Sequence, residues 1–156
     1  MQKSIFCIFL LLVINSIQAQ IDSTKAFESC RGKLPLPVKH FSKVIDQNKS
    51  TSNATHDVAT IFISNVSDSI FSVCDGKILR FLQLDSAIHG VLINVGAYYL
   101  VYSSIKPTNL KKGDIIKQNQ FIGFMSKDYS VDYNLSIQLF NKNAKEIPIY
   151  NWFKWE

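Results

Sequence analysis

Hydrophobic residues beyond residue 58 come in short runs that turn-forming residues separate. The runs are rich in Ile, Val, Phe, Tyr and Leu, and they recur at the intervals typical of all-β domains. We interpret as strands the runs VATIFI, SIFSV, KILRFLQL, GVLINV, YYLVYS, the GDIIKQNQFIGFM region and NLSIQLF. Asp75-Gly76 and Gly96-Ala97 supply residues that tolerate a positive φ between adjacent strands. The pattern predicts a mainly β fold with no helix longer than a few turns.

Apolar and polar residues alternate strictly along the last of these runs. The apolar positions are Leu135, Ile137 and Leu139, and the polar positions between them are Asn134, Ser136 and Gln138. Because successive side chains of a strand point to opposite faces of a sheet, this strand is expected to bury one face and to expose a polar one.

The N-terminus has the organisation of a secretory signal peptide. Lys3 precedes an uninterrupted apolar run from Ile5 to Ile14, and mostly small and polar residues follow up to Gln20. The run is shorter than the ~20 residues that a helix needs to cross a bilayer, so no stable membrane span is expected. We therefore divide the chain into a signal peptide at 1–20, a short N-terminal segment at 21–31 with little expected structural role, and one domain at 32–156.

Composition excludes several classes of protein. A chain of 156 residues with 47% hydrophobic and 19% charged residues is long enough for one core and is neither disordered nor fibrous. The net charge is +5, and loss of Lys3 with the leader lowers it by one. Such a mild excess of basic residues predicts no nucleic-acid partner. The expected location is secreted or periplasmic.

Two cysteines remain after removal of the leader, Cys30 and Cys74. In an oxidising compartment they can form one disulfide, and closing a loop of about 45 residues would contribute about 4 kcal/mol in the chain-entropy model. Two buried thiols are the equal alternative, because sequence does not fix the distance between the two Cα atoms.

Four stretches carry recognisable motifs in a fixed order. They are GKLPLPV at 32–38, IFSVCDGKI at 70–78, GVLINVGAYYLVYSSIKPTNLKKGDIIKQNQFIGF at 90–124, and NLSIQLFNKNAKEIPIYNWF at 134–153. Together they resemble the LytM/lysostaphin-type peptidase family, and most closely its catalytically inactive murein-hydrolase activators. The resemblance implies a duplicated hybrid motif, an antiparallel β-sandwich or open, barrel-like sheet.

The same resemblance implies where a zinc site would lie. Active members hold zinc with an H-x-x-x-D motif and with the second histidine of an H-x-H motif. The H-x-H motif falls on residues 134–136, so Ser136 stands at a ligand position and Asn134 at the position of a catalytic histidine. Hydroxyl and amide groups are weak zinc ligands, and neither takes up a proton near neutral pH as an imidazole does.

The remaining site positions are altered as well. A supporting histidine in Tyr-x-His-Leu falls on Ser104, and the aspartate falls on Ile61 or, one residue earlier, on Thr60. His56 lies near the first histidine position, but Thr60 and not an aspartate stands four residues later. We therefore predict no catalytic residue, no metal ligand and no cofactor, and interpret these positions as a degenerate groove.

The sequence thus predicts a secreted, catalytically inactive LytM-type module. It would bind peptidoglycan or an envelope protein such as a cell-wall amidase, and would regulate a peptidoglycan hydrolase. The alternative is an active zinc metalloendopeptidase of peptidoglycan with rearranged ligands. A structural role in an envelope assembly is the third hypothesis.

Overall fold

The computed structural model describes residues 2–47, 58–83, 86, 88–127 and 130–155. Its elements are one helix, eleven strands and a short 3-10 helix. They are α1 Gln2–Ser29, β1 Lys43–Asp46, β2 Thr60–Ser64, β3 Ser69–Phe71, β4 Gly76–Gln83, β5 His89–Val95, β6 Tyr98–Ser103, β7 Ile105–Pro107, β8 Ile115–Ile116, β9 Phe121–Met125, β10 Tyr133–Asn141, β11 Glu146–Ile147 and the 3-10 helix Tyr150–Trp152.

The strands form two antiparallel sheets. The larger sheet has the order β1-β2-β10-β6-β5-β4-β8, with β11 paired to β10, and the smaller sheet has the order β3-β9-β7. The larger sheet is open and does not close into a barrel. The prediction of a mainly β, antiparallel fold with an open sheet is therefore confirmed.

The core lies between the two sheets. From the larger sheet, Leu135, Ile137 and Leu139 of β10 are fully buried, as their alternation with polar residues predicts. From the smaller sheet, Ile70 and Ile105 join the same hydrophobic cluster. One face of β10 is thus held against the core, which fixes the direction of the polar face opposite.

Three short strands were not predicted, because β1, β7 and β11 are only two to four residues long and show no period. One turn was predicted for the wrong reason. Gly96 does have a positive φ of 62°, but Gly76 begins β4 without one. A Cβ at Gly76 would lie 2.6 Å from Ile93 Cγ2, so this position needs glycine for space and not for a left-handed turn.

The segment after the expected leader has a structural role that the sequence pattern did not predict. α1 is a single helix of 28 residues, most of which lie in the expected leader, and its last nine residues, 21–29, belong to the mature chain. Near its C-terminal end Phe27 is 3% exposed and stacks on Trp152 at 4.8 Å between ring centroids. Thr24 Oγ1 accepts a hydrogen bond of 2.8 Å from the Ala97 amide at the β5–β6 turn. The last turns of α1 are therefore docked on the domain.

No helix in the described part of the chain is both long enough and apolar enough to cross a membrane.

Candidate functional site

A row of side chains crosses three neighbouring strands on the outer face of the larger sheet. The register aligns Ser136 of β10 with Ile61 of β2 on one side and with Ser103 of β6 on the other. Directly opposed residues point to the same face of a sheet. The neighbours of Ser136 along β10, Leu135 and Ile137, are fully buried on the other face. The side chains of this cross-strand row therefore point away from the core.

Asn134 lies two residues before Ser136 on β10, on the same face of the sheet, and its backbone and side chain are both held. Its amide N–H donates to the Ser126 carbonyl at 3.1 Å, and the Ser126 amide donates to the Ser104 carbonyl at 2.9 Å. The Asn134 side-chain Nδ2 donates to Ser130 Oγ at 3.2 Å. These bonds connect Asn134 of β10 to the β6–β7 junction at Ser104, which is itself buried.

Ser104 has an unusual backbone conformation for a residue with a side chain. It lies between β6 and β7, has a φ of 65° and is 3% exposed. A left-handed conformation is uncommon outside glycine, asparagine and aspartate. The strand direction changes at this point, because Tyr102 and Ser103 pair in the larger sheet whereas Ile105 pairs in the smaller one. Ser104 is thus the corner between the two sheets.

The structure decides between the two residues that the resemblance offered for the aspartate position. Ile61 stands opposite Ser136 on the outer face. Thr60 stands opposite Ile137, is 1% exposed and faces the core. The assignment of Thr60 to the groove is therefore wrong, because consecutive strand residues face opposite ways. His56 lies outside the described residues.

The sequence interpretation missed two contributors to this surface, Ser103 and Glu146. Ser103 is the direct neighbour of Ser136, and alternation with the core residue Tyr102 could have identified it. Further along β10, Gln138 Nε2 donates to Glu146 Oε1 at 3.0 Å, and the other Glu146 oxygen accepts from the Val58 amide at 3.2 Å. The Glu146 carboxylate therefore joins β11 to β10 and to the residues just before β2.

Tyr102 supports the row from beneath. It is fully buried, and its hydroxyl accepts a hydrogen bond of 3.0 Å from the Val73 amide. Burial raises the pKa of Tyr102 far above its usual range, and the nearby Cys74 thiol raises it further. The side chain remains a neutral phenol that fixes β6 to the turn after β3.

The residues at the implied zinc site do not fit zinc. Zinc in proteins is bound by imidazole, thiolate or carboxylate groups. Ile61 offers a hydrocarbon, Ser104 and Ser136 offer hydroxyls, and Asn134 offers an amide. Over the ranges that the structure describes, no three His, Cys, Asp or Glu side chains come together in a group that could hold a metal ion. No step of metal chemistry can be assigned to these residues.

Both cysteines are free thiols that contact the same hydrophobic cluster. Cys74 is 5% exposed and Cys30, at the end of α1, packs on the same hydrophobic cluster. Burial, helped by Asp75 and by Cys30, raises the pKa of the Cys74 thiol far above its usual range. Disulfide formation stays a prediction, and the mass of the non-reduced mature protein tests it, since a disulfide removes two hydrogens.

Comparison with known proteins identifies the fold. Neither a protein-family model nor a curated protein matches the sequence. Among solved structures, Csd3 of Helicobacter pylori is similar with a TM-score of 0.63 and 19% identity, over 79% of this chain and 33% of that one. This chain thus spans about a third of Csd3.

Two further structures are covered over most of their length. The structure of the SpoIIQ–SpoIIIAH pore-forming complex matches with a TM-score of 0.60 and 17% identity, over 78% of this chain and 91% of that one. The catalytic domain of the antimicrobial peptidase lysostaphin from Staphylococcus simulans matches with a TM-score of 0.54 and 20% identity, over 70% and 88%. The chain therefore has the fold of LytM/lysostaphin-type domains.

Proposed function

We propose that this chain is a secreted or periplasmic, non-catalytic LytM-type module that binds an extended peptide in the groove around Ser136. The peptide belongs to peptidoglycan or to an envelope protein such as a cell-wall amidase. One observation carries the proposal. The cross-strand register brings Ile61 beside Ser136, where the resemblance implies zinc ligands, and neither side chain can bind zinc.

The groove has the chemistry of a peptide-binding surface. Ser103, Ser136 and Asn134 offer hydroxyl and amide groups that both donate and accept hydrogen bonds, as a peptide backbone requires. Ile61 and Ile63, which stand opposite Ser136 and Asn134, add apolar surface. All five of these residues lie on paired strands, so the groove is preorganised for a ligand.

Two further considerations support an envelope role. The N-terminal pattern of a charged residue, an apolar run and a polar end is that of a secreted protein. The similar fold of SpoIIQ occurs in a complex with another protein, SpoIIIAH. Regulation of a peptidoglycan hydrolase follows if the bound partner is such an enzyme.

The test is binding by mature protein that begins at Ile21. Soluble peptidoglycan fragments and a purified cell-wall amidase serve as the two probes, and calorimetry measures the dissociation constants. Ser136→Arg fills the groove with a long side chain and is expected to weaken binding by about tenfold or more, which is ~1.4 kcal/mol.

Asn143→Arg is the matched control, because it adds the same side chain at the exposed turn between β10 and β11. It is expected to bind as the wild type does. Equal affinity of Ser136→Arg and wild type for the probe that binds would show that the ligand lies elsewhere, and failure of both probes to bind would remove the proposal.

A further inference from the structure

Three phenylalanines lie side by side on the outer face of the smaller sheet. The ring centroids of Phe71 and Phe121 are 6.2 Å apart, and those of Phe121 and Phe124 are 5.0 Å apart. Phe124 is 43% exposed, and the other two are half-buried. None of the three belongs to the hydrophobic cluster between the sheets. We call these three residues the aromatic stripe.

A β-bulge produces the stripe. In the pairing of β3 with β9, Ile70 stands opposite Gly123, but Phe71 stands opposite Phe121, so Ile122 is the extra residue. Without the bulge, residues 121 and 124 would point to opposite faces. With it, both phenylalanines face outward, while Ile122 is 1% exposed and Gly123 is buried. The irregularity therefore builds a continuous aromatic surface that the core does not need.

Positive charge lies at both ends of the stripe. The Lys39 ammonium is 5.6 Å from the centroid of the Phe71 ring. At the other end, exposed Lys106 is the direct cross-strand partner of Phe124. The Asp68 carboxylate, which precedes β3, is already engaged by three backbone amides. The surface thus has an apolar centre with a cation at each end.

We propose that the aromatic stripe docks an acidic, apolar segment of a partner protein, with its apolar side chains on the rings and carboxylates at Lys39 and Lys106. The two distances between neighbouring ring centroids, taken together, correspond to about three to five residues of extended chain at ~3.3 Å each. Protein is favoured over a lipid surface, since two half-buried rings lie within the sheet and two lysines fall short of the 4–8 typical of a membrane-binding cluster.

This surface is separate from the groove. The stripe lies on the outer face of the smaller sheet, whereas Ser136 lies on the outer face of the larger one, with the core between them. A partner on the stripe leaves the groove free, so the two proposals can fail independently.

The test uses two dye-labelled heptapeptides and fluorescence anisotropy on the full mature protein. Both peptides have a Leu-Phe-Leu centre, which is flanked by glutamates in one and by lysines in the other. The glutamate peptide is expected to bind about tenfold tighter than the lysine peptide, and Phe124→Ser to weaken it by about fivefold or more. Combining Lys39→Glu with Lys106→Glu is expected to reverse the preference.

Ile115→Ser is the control, because Ile115 is an apolar side chain that is 63% exposed on β8 of the larger sheet. It is expected to leave both affinities unchanged. Equal affinity for the two peptides, or no binding of either, overturns the proposal. Binding to vesicles rich in anionic phospholipid that Phe124→Ser abolishes, with neither peptide bound, would assign the stripe to a membrane surface instead.

Discussion

Replacing Phe27 with alanine is expected to lower the free energy of unfolding of the mature protein by about 3–5 kcal/mol, the usual cost of removing a buried aromatic ring. The ring is 3% exposed and contacts Trp152 at 4.8 Å and Tyr98 at 5.3 Å between centroids. It is the main apolar contact of the segment that precedes the domain. Chemical denaturation of mature wild type and variant measures the difference.

Ile21→Ala is the control on the same helix, since Ile21 is 42% exposed, and a change of less than about 0.5 kcal/mol is expected there. If Phe27→Ala does not fold, Phe27→Leu gives a smaller loss that can still be measured. A loss below about 1 kcal/mol for Phe27→Ala would mean that the end of α1 is not part of the folded core.

Replacing Asp68 with asparagine is expected to lower stability at pH 7 by about 1–3 kcal/mol. One carboxylate oxygen accepts from the Lys39 and His40 amides at 2.9 and 2.8 Å, and the other accepts from the Ser69 amide at 2.8 Å. An asparagine side chain has only one acceptor oxygen, so at least one amide would lose its partner. These bonds attach the Pro-rich segment to β3.

The effect of Asp68 should depend on pH. Burial tends to raise the pKa of Asp68, but hydrogen bonds from the His40, Ser69 and Lys39 amides outweigh burial and lower it. A carboxyl with a lowered folded-state pKa stabilises fully above its unfolded pKa of about 4, and this stability is lost as the pH falls through the folded value. The difference in the free energy of unfolding between wild type and Asp68→Asn should therefore be constant from pH 5 to 7 and decrease in stronger acid.

Asp114→Asn provides the matched comparison, because Asp114 Oδ2 accepts from one backbone amide, that of Lys111, in an exposed turn. Its cost is expected to be about 1 kcal/mol or less. If the difference in the free energy of unfolding between wild type and Asp68→Asn increased in acid, the pKa of Asp68 would be raised and not lowered.

The sequence was sufficient to predict the strands that have a period. All seven predicted runs contain a strand of the structure, and β10 buries Leu135 and exposes Ser136 as its alternation requires. Most of these strands are five or more residues long. The exceptions are β8, which follows the turn at Gly113, and β3. Where a strand has only two to four residues, as β1, β7 and β11 do, no alternation distinguishes it from a loop.

The sequence could not predict that α1 packs on the domain, for a different reason. Phe27 is one apolar residue in a polar stretch, and its partner Trp152 lies near the other end of the chain. Nothing local indicates that the two will meet. Backbone hydrogen bonds also join the beginning of the domain to its end. The Leu34 amide donates to the Trp152 carbonyl at 3.0 Å, and the Lys154 amide donates to the Leu34 carbonyl at 2.9 Å.

The site could be predicted only in part, because register is a property of strand pairs. The family resemblance selected Asn134 and Ser136, and both lie on the outer face. It left the aspartate position open between Thr60 and Ile61, and only the pairing of β2 with β10 excludes Thr60. The same pairing, continued to β6, adds Ser103.

In the proposed function, the groove binds a peptide and does not hydrolyse it. The most direct measurement supplies mature protein with excess zinc and peptidoglycan fragments, then determines the zinc retained after dialysis and the new amino termini released. We predict far less than one zinc ion per chain and no release of amino termini, with saturable binding of the fragments or of an amidase. One tightly held zinc per chain, together with peptide cleavage that a chelator stops, would show that the groove is an active zinc peptidase site.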